Sequence, residues 1–543
     1  MPAATSNSGR MTTCARTTRI VSLVIAAVLL AASAISPSAS AAKKPACAKA
    51  GHKGGDWPMM GHDLRHTRNQ PKERFINPGR ASTLATTWEN TPDGAQGSTF
   101  SGTPAIAGGC VYVGSQSGWV YALNADSGEL VWKKRVEEDP EVAFSSGAGG
   151  INGSLAVANG FVYASVANYE QPYIAALDQD TGDVMWATTT ERQTGAGTQA
   201  SAIVFGDVVM AGWDTAGIEF DAEARKTAYG GFAVIDALSG KLLKRTYTIP
   251  IKERKEGFSG GNIWSSFAVD EATKYAYVGT AAPYSPAHEH KRTNAILKVD
   301  IDRSRATFGE IVDSYKGVYD TYVETTRQLP CVPIAPGSNF AEGTGPCQKL
   351  DLDFAAAPNL MKVKGKTLVG ELQKAGVYHI VDAKNMKGIH EVVLNNPAAG
   401  FAPSSIGSTA IDGSAIYAVS GSANTMVALD QATADYKWFS ETIDAPIHAN
   451  PTTSANGVVY TLNGSGFLTA HDSRTGVLLL AAQVGSSLGS GVAVARNTVY
   501  TVGGSVVALR PDEARAAQAE QMDAFLDSIP TPAPIPHIDK PPV

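Results

Sequence analysis

One phrase recurs eight times along the chain, and a repeat of that size dictates the architecture. The first copy reads Val111-Tyr112-Val113-Gly114, a short gap, then Val120-Tyr121-Ala122-Leu123-Asn124-Ala125-Asp126-Ser127-Gly128-Glu129-Leu130-Val131-Trp132. Each copy holds two or three short β segments, a polar Asp-x-x-Ser/Thr-Gly turn and, at best, a closing Trp. Such a unit cannot bury its own apolar face, so neighbouring copies must cover it. The copies run through Tyr112, Tyr163, Val209, Tyr277, Leu368, Tyr417, Tyr460 and Tyr500. Turns such as Asp178 to Gly182, Asp236 to Gly240, Asp382 to Gly388 and Asp472 to Gly476 recur with them, and Trp132, Trp186 and Trp438 close three units.

Most spacings are 40 to 51 residues, which fits one four-stranded blade per copy. The all-β fold expected is an eight-bladed β-propeller. Two intervals are longer, 68 residues from Val209 to Tyr277 and 91 from Tyr277 to Leu368. The excess predicts loop insertions, and loops on a rigid scaffold carry function. The last copy, Val499 to Leu509, stops short of its final strand. Leu84 to Asn90, with Trp88, precedes the first copy and is expected to supply it, leaving no open edge.

The ends read differently. Arg10, Arg16 and Arg19 precede an apolar run from Ile20 to Ala32, and Ala39-Ser40-Ala41 offers a cleavage site. Residues 1–41 are therefore expected to be a signal peptide, and the apolar run is short for a membrane span. Residues 42–55 form a Lys/Gly/Ala-rich segment, 56–512 the propeller, and 513–543 a short helix and a Pro-rich, flexible tail. The net charge of −6 is evenly mixed, which leaves no basic footprint for nucleic acid. A secreted, extracytoplasmic protein without a membrane span after cleavage is expected. Cys47, Cys110, Cys331 and Cys347 follow the leader, and an even count there favours disulfides. Cys331 and Cys347 bracket a Pro/Gly-rich loop and are expected to bridge, which leaves Cys47 with Cys110.

Several motifs have plain explanations. Gly485-Ser486-Ser487-Leu488-Gly489 has the nucleophile-elbow spelling, but a strand and not a helix follows it. His288-Glu289-His290 has no third metal ligand set by spacing. Asp300-Ile301-Asp302 falls on a repeat turn.

The two long central units hold a more specific cluster. It comprises Gly260-Gly261-Asn262-Ile263-Trp264, Tyr277-Val278-Gly279-Thr280-Ala281-Ala282-Pro283-Tyr284, Asp351 to Leu360, and Gln373-Lys374-Ala375-Gly376. Together with the opening Asp56-Trp57-Pro58-Met59-Met60-Gly61-His62-Asp63 and Thr67-Arg68, these segments resemble the polyvinyl-alcohol dehydrogenase branch of the pyrroloquinoline-quinone (PQQ) dehydrogenases. The resemblance spans roughly residues 56 to 512.

It implies a secreted dehydrogenase that passes electrons from a secondary or polymeric alcohol, through PQQ with calcium, to an external acceptor. By position, Trp264 matches the indole under the quinone and Asp353 the catalytic base. Lys374 matches the cation at the quinone oxygens, and Thr198 a carboxylate ligand of PQQ. Glu219 and Asp353 match the calcium ligands. A planar trianion needs an aromatic floor and donors at its edge, which is the chemistry these residue types supply. The sequence also departs from the family. Ala282 stands where a calcium-binding Asn is expected, and Ser101 where a Glu is expected. No adjacent Cys pair and no Cys-x-x-Cys-His haem motif occurs. The alternative reading is a non-catalytic secreted propeller that has lost the cofactor and binds a partner through its loop face.

Overall fold

The computed structural model describes residues 46–138, 150–168, 171–218, 221, 223–284, 290–317, 352–394, 406–420, 425–441, 450–487 and 489–537. Eight antiparallel sheets follow one another along the chain, each built on four strands. The residues that mark the repeat all fall in the second strand of their blade. The first strands are Ala105–Ala107, Ala156–Ala158, Ile203–Phe205, Ala268–Asp270, Asn359–Val363, Ala410–Asp412, Thr453–Ala455 and Val492–Ala495. They are short and largely buried, and successive ones adjoin around a ring in which the last also meets the first. The eighth blade closes as expected: Leu84–Asn90 pairs antiparallel with Val506–Pro511, matching Trp88 to Ala508.

The physical content of the repeat lies at the joints between blades. Tyr112 and Trp132 both donate to the carbonyl of Gln179, in the turn of the next blade, at 3.4 and 3.1 Å. Tyr163 and Trp186 share the Ala237 carbonyl, and Tyr417 and Trp438 share that of Ser473. The closing joint repeats the device across the termini, with Tyr500 and Trp88 sharing Ala125. The turn glycine completes each lock. Gly182 sits at φ 77° with its Cα against the Trp132 ring, and a Cβ there would lie 2.6 Å from the indole. Gly128, Gly240 and Gly476 stand likewise over Trp88, Trp186 and Trp438. Where the Trp is absent, Tyr277 shares the Ala383 carbonyl with the Lys298 ammonium, at 3.0 and 2.8 Å. The acidic residue of the turn accepts amides two and three positions on, as Asp178 does from Asp180 and Thr181. Asp300 and Asp302 belong to such a turn, and Arg305 pairs with Asp300 at 3.1 Å.

The segment before the first blade crosses the ring. Trp57 bridges to Ile106 in blade one, and Pro58 accepts from Val157 in blade two. Leu64, Arg65, Thr67 and Arg68 accept in turn from Val269, Leu360, Ile411 and Ser454, in blades four to seven. Asn69–Gln70 then adds a parallel fifth strand to the seventh sheet. This segment plugs one end of the channel. Arg68 is its anchor, 1% exposed. Its guanidinium donates to the Thr452 carbonyl (2.6 Å), the Met60 carbonyl (2.5 Å), and the hydroxyls of Thr453 (3.0 Å) and Thr103 (3.2 Å). Burial lowers its pKa to about 9, so it remains a cation at neutral pH.

Cys47 and Cys110 are joined by a disulfide. Cys331 and Cys347 lie outside the described residues, as do the leader and Glu219. After the propeller, the helix Ala516–Ser528 packs on the short helix Pro78–Ala81, whose Gly79 amide meets Asp523 at 2.7 Å. The Pro-rich tail differs from its expected flexibility up to residue 537. Ile535 exchanges both backbone hydrogen bonds with Tyr436, because the outer strand of blade six leaves that edge unpaired. Among the described residues, no helix is long and apolar enough to cross a membrane.

Candidate active site

First and second strands of a blade run antiparallel, so the loop before the first and the loop after the second emerge at the same end of the channel. That geometry gathers residues far apart in sequence. Trp264 precedes the first strand of blade four, and Ala281 and Ala282 follow its second. Asp353 precedes the first strand of blade five, and Lys374 follows its second.

Asp353 is the hub. Its Oδ1 accepts the Ala282 N–H at 2.7 Å. Its Oδ2 lies 3.1 Å from Trp264 Nε1 and 3.2 Å from Lys374 Nζ. The Lys374 amide donates to the Asp353 carbonyl at 2.9 Å, so the two loops are tied through backbone as well as side chain. Lys374 Nζ stands 4.8 Å from the centre of the Trp264 ring, within cation–π range. Both charged side chains are below 10% exposed (9% for Lys374 and 8% for Asp353), and the pair is largely shielded from competing water.

Trp264 lines a cavity of about 310 Å³ at this end of the channel. The plug forms its floor through Met60. Its wall is a belt of hydroxyls. The Ser154 hydroxyl accepts from the Thr103 amide, Ser201 from Ser154, and Ser266 from Ser201, at 2.7 to 2.9 Å. Ser408 accepts from Ala357 in the same manner. Gln116, Asn152 and Gln199 add amides to the rim. The belt has a sequence signature that reading for motifs passed over: a small residue and a Ser or Thr precede most of the first strands, as in Gly102-Thr103, Gly153-Ser154, Ala200-Ser201 and Gly407-Ser408.

Three of the five residues singled out in the sequence are thus brought together: Trp264, Asp353 and Lys374. Thr198 is not on the cavity wall. It is buried, and its hydroxyl donates to the Gly212 carbonyl at 2.8 Å, while its neighbour Gln199 faces the cavity. Nearby, Asp214 is buried with Oδ2 unpaired, and burial lifts its pKa to about 6. Ser487 hydrogen-bonds Phe100 and Ser490. His290 meets the Phe258 ring edge to face and is buried, so the last described member of the His-Glu-His run does not face solvent.

The donor set suits one of the two expected groups. An indole in the cavity wall, an ammonium over it and amide and hydroxyl donors around the rim fit a flat, oxygen-rich ring system. Calcium does not fit what is present. Asp353 already meets N–H donors on both oxygens, and Ala282 brings no side-chain oxygen to the position where the family's Asn ligand is expected. No three His, Cys, Asp or Glu side chains converge among the described residues.

A family profile described as outer membrane protein assembly factor BamB, PQQ_2, matches residues 80–271 and 364–523. The chain belongs to the PQQ_2 family. Its sequence relatives carry dehydrogenase names. A polyvinylalcohol dehydrogenase of Pseudomonas sp. is 26% identical over 348 residues, covering 61% of this chain and 49% of the relative. A second, from Sphingopyxis sp. (strain 113P3), is 27% identical over 305 residues, covering 52% and 43%. The chain thus spans about half or less of the length of these relatives. Among solved structures, the quinohemoprotein alcohol dehydrogenase of Comamonas testosteroni superposes with a TM-score of 0.62 at 18% identity, covering 84% of this chain and 80% of that one. BamB of Moraxella catarrhalis superposes at 0.51 and 14% identity, covering 79% and 99%. These two likenesses show the PQQ_2 propeller fold and nothing finer.

Proposed function

We propose that the chain is an extracytoplasmic, PQQ-dependent dehydrogenase that oxidises an alcohol, secondary or polymeric, and delivers electrons to an external acceptor. The meeting of Asp353 and Lys374 with Trp264, which lines the cavity, supports this reading. The dehydrogenase names of its sequence relatives support it too. Asp353 takes the proton of the substrate hydroxyl through Oδ2, the oxygen that is held by side chains and not by backbone. Lys374 and Trp264 fix that oxygen in place, and Ala282 fixes the other. Bound PQQ would supply the two-electron acceptor. Lys374, over the indole, would meet its quinone oxygens, and Gln116, Asn152 and Gln199 its opposite rim.

A second reading rests on two observations. Ala282 lacks the side-chain oxygen expected beside Asp353, and the Thr198 hydroxyl is spent on the Gly212 carbonyl. Both suit a propeller that binds a partner without turnover. Titration with PQQ, with and without calcium, separates the two. Binding that quenches Trp264 fluorescence and raises the melting temperature, followed by dye-linked alcohol oxidation, supports the enzyme. Asp353→Asn then removes turnover and spares binding. No thermal shift at saturating PQQ would overturn the dehydrogenase reading.

A further inference from the structure

A second cleft, of about 670 Å³, lies at the other end of the channel. Asn497 in its wall joins the first and second strands of blade eight, and turns of that kind fall away from the Asp353 loop. One side of the cleft is the arm Gly51-His52-Lys53-Gly54-Gly55-Asp56; the other is the stretch just beyond the plug, with Lys72, Arg74 and Phe75. The arm is fastened at three points. Cys47 is bonded to Cys110, the Arg496 guanidinium donates to the Lys49 carbonyl at 2.9 Å, and the Arg496 amide donates to the Gly55 carbonyl at 3.1 Å. Gln70 Nε2 donates to the Asp56 carbonyl at 2.9 Å and ties the two sides together. Gly54 stands at φ 91°, and a Cβ there would lie 2.6 Å from the Asn497 backbone, so the close fit requires glycine.

The cleft is positive in a chain of net charge −6. Lys53, Lys72 and Arg74 are exposed around it, and none of them forms an ion pair among the described residues. Asp412 acts on Arg74 at longer range, and Arg74 spends one N–H on the Glu73 carbonyl. Glu73 itself is buried and turned inward, its Oε1 accepting the Arg74, Phe75 and Ile76 amides. Asp56, the carboxylate in the lining, meets the Gly108 amide at 3.4 Å. Three cations against one carboxylate leave an excess of two positive charges. The backbone adds donors. The amides of Gly51, Lys53, Gly54 and Gly55 reach no acceptor among the described residues, although Gly54 is buried and lines the cleft. Buried N–H groups are seldom left without a partner, so this one points to a ligand.

We propose that this cleft binds a phosphate monoester. Its two negative charges match the excess, and its three acceptor oxygens suit a guanidinium fork, two ammonium groups and free amides. A cleft of this size holds a whole small molecule, so the phosphate is one end of the ligand. Phe75, half-buried and steadied by the Arg80 guanidinium at 4.2 Å from its ring centre, offers an aromatic surface to the body of the ester. The site is independent of the dehydrogenase reading, since it shares no residue with the Asp353 cavity.

Calorimetric titration of the full chain with phenyl phosphate tests this. The ester saturates one site at roughly millimolar concentration or below. It binds about fivefold more tightly than inorganic phosphate, because its ring meets Phe75, and more weakly as salt is added. Lys53→Gln and Lys72→Gln each lower the affinity about fivefold, with an unchanged far-UV dichroism spectrum. Succinate, a dianion without the tetrahedral oxygens, binds at least about tenfold more weakly. No saturable binding by about 10 mM phenyl phosphate overturns the proposal. So does equal binding of succinate, or wild-type affinity in the doubly substituted protein. Vesicles of phosphatidylcholine carrying phosphatidic acid form a second arm. Sedimentation with them that phenyl phosphate competes away assigns the monoester to a lipid headgroup, and phenyl phosphate binding without sedimentation assigns a free ester.

Discussion

Replacing Arg68 by lysine keeps the charge at the centre of the plug and removes the fork. The guanidinium reaches three carbonyls and two hydroxyls belonging to the plug and to blades one, seven and eight. One ammonium on a flexible stem cannot span the Thr452 and Met60 carbonyls together. About two charge-assisted hydrogen bonds are lost, at roughly 1.5 to 3 kcal/mol each, so the variant is destabilised by about 3 to 6 kcal/mol. The cost of burying the cation is nearly common to both side chains and drops out of the difference. At roughly 2.1 cal/mol/K of unfolding entropy per residue, a chain of this size loses about 1 °C of melting temperature per kcal/mol, or about 3 to 6 °C here. Urea unfolding followed by far-UV dichroism gives the free energy, and trypsin cleavage near Arg65 reports release of the plug. A loss below about 1 kcal/mol with an unchanged m-value would show that Arg68 does not hold the plug by its geometry, and the anchor argument would fail.

Other substitutions probe separate features. Asp214 has a folded-state pKa raised from 3.8 to about 6, so its contribution to stability is full below the lower value and is lost as pH rises through the upper. Asp214→Asn should therefore gain about 3 kcal/mol at pH above about 7 and nothing near pH 3, as read by unfolding at both. Glu371→Gln should stabilise in the same direction, and a variant less stable than wild type at alkaline pH would show that Glu371 has an undetected partner. Gly182→Ala should cost about 2 to 4 kcal/mol, since the residue sits at φ 77° and its new Cβ would meet the Trp132 ring. Reducing Cys47–Cys110, which closes a loop across 63 residues, should cost about 2 to 4 kcal/mol, measured as a fall in unfolding midpoint with dithiothreitol.

The ring was legible because the repeat states its chemistry in every copy. Tyr, turn and Trp recur at blade spacing, and the missing last strand pointed to Leu84–Asn90. What the repeat did not disclose is that Tyr and Trp converge on one carbonyl of the next unit, a relation visible only once blades are side by side. Trp264, Asp353 and Lys374 were found through family likeness; nothing in their local pattern separates them from core or turn residues. For Thr198 likeness fixed the neighbourhood and not the direction of the side chain, which meets the Gly212 carbonyl while Gln199 lines the cavity. The plug escaped notice since residues 55–70 have neither helical nor strand periodicity; their hydrogen bonds go to the edges of seven different blades. Asp214, just past a strand, and Glu371 and His379, within strands, read as ordinary polar residues, and burial alone makes them unusual.

The pairing of Leu84–Asn90 with Val506–Pro511 has a consequence for synthesis. More than four hundred residues must leave the ribosome before the early strand meets its mate. Until then the nascent chain carries an orphan edge at each extremity, and the plug has no finished rim to grip. Closure of the ring is therefore timed by the arrival of Val506–Pro511, and any premature stop before Val506 should yield a gapped arc prone to sticking to its own kind rather than a smaller working protein.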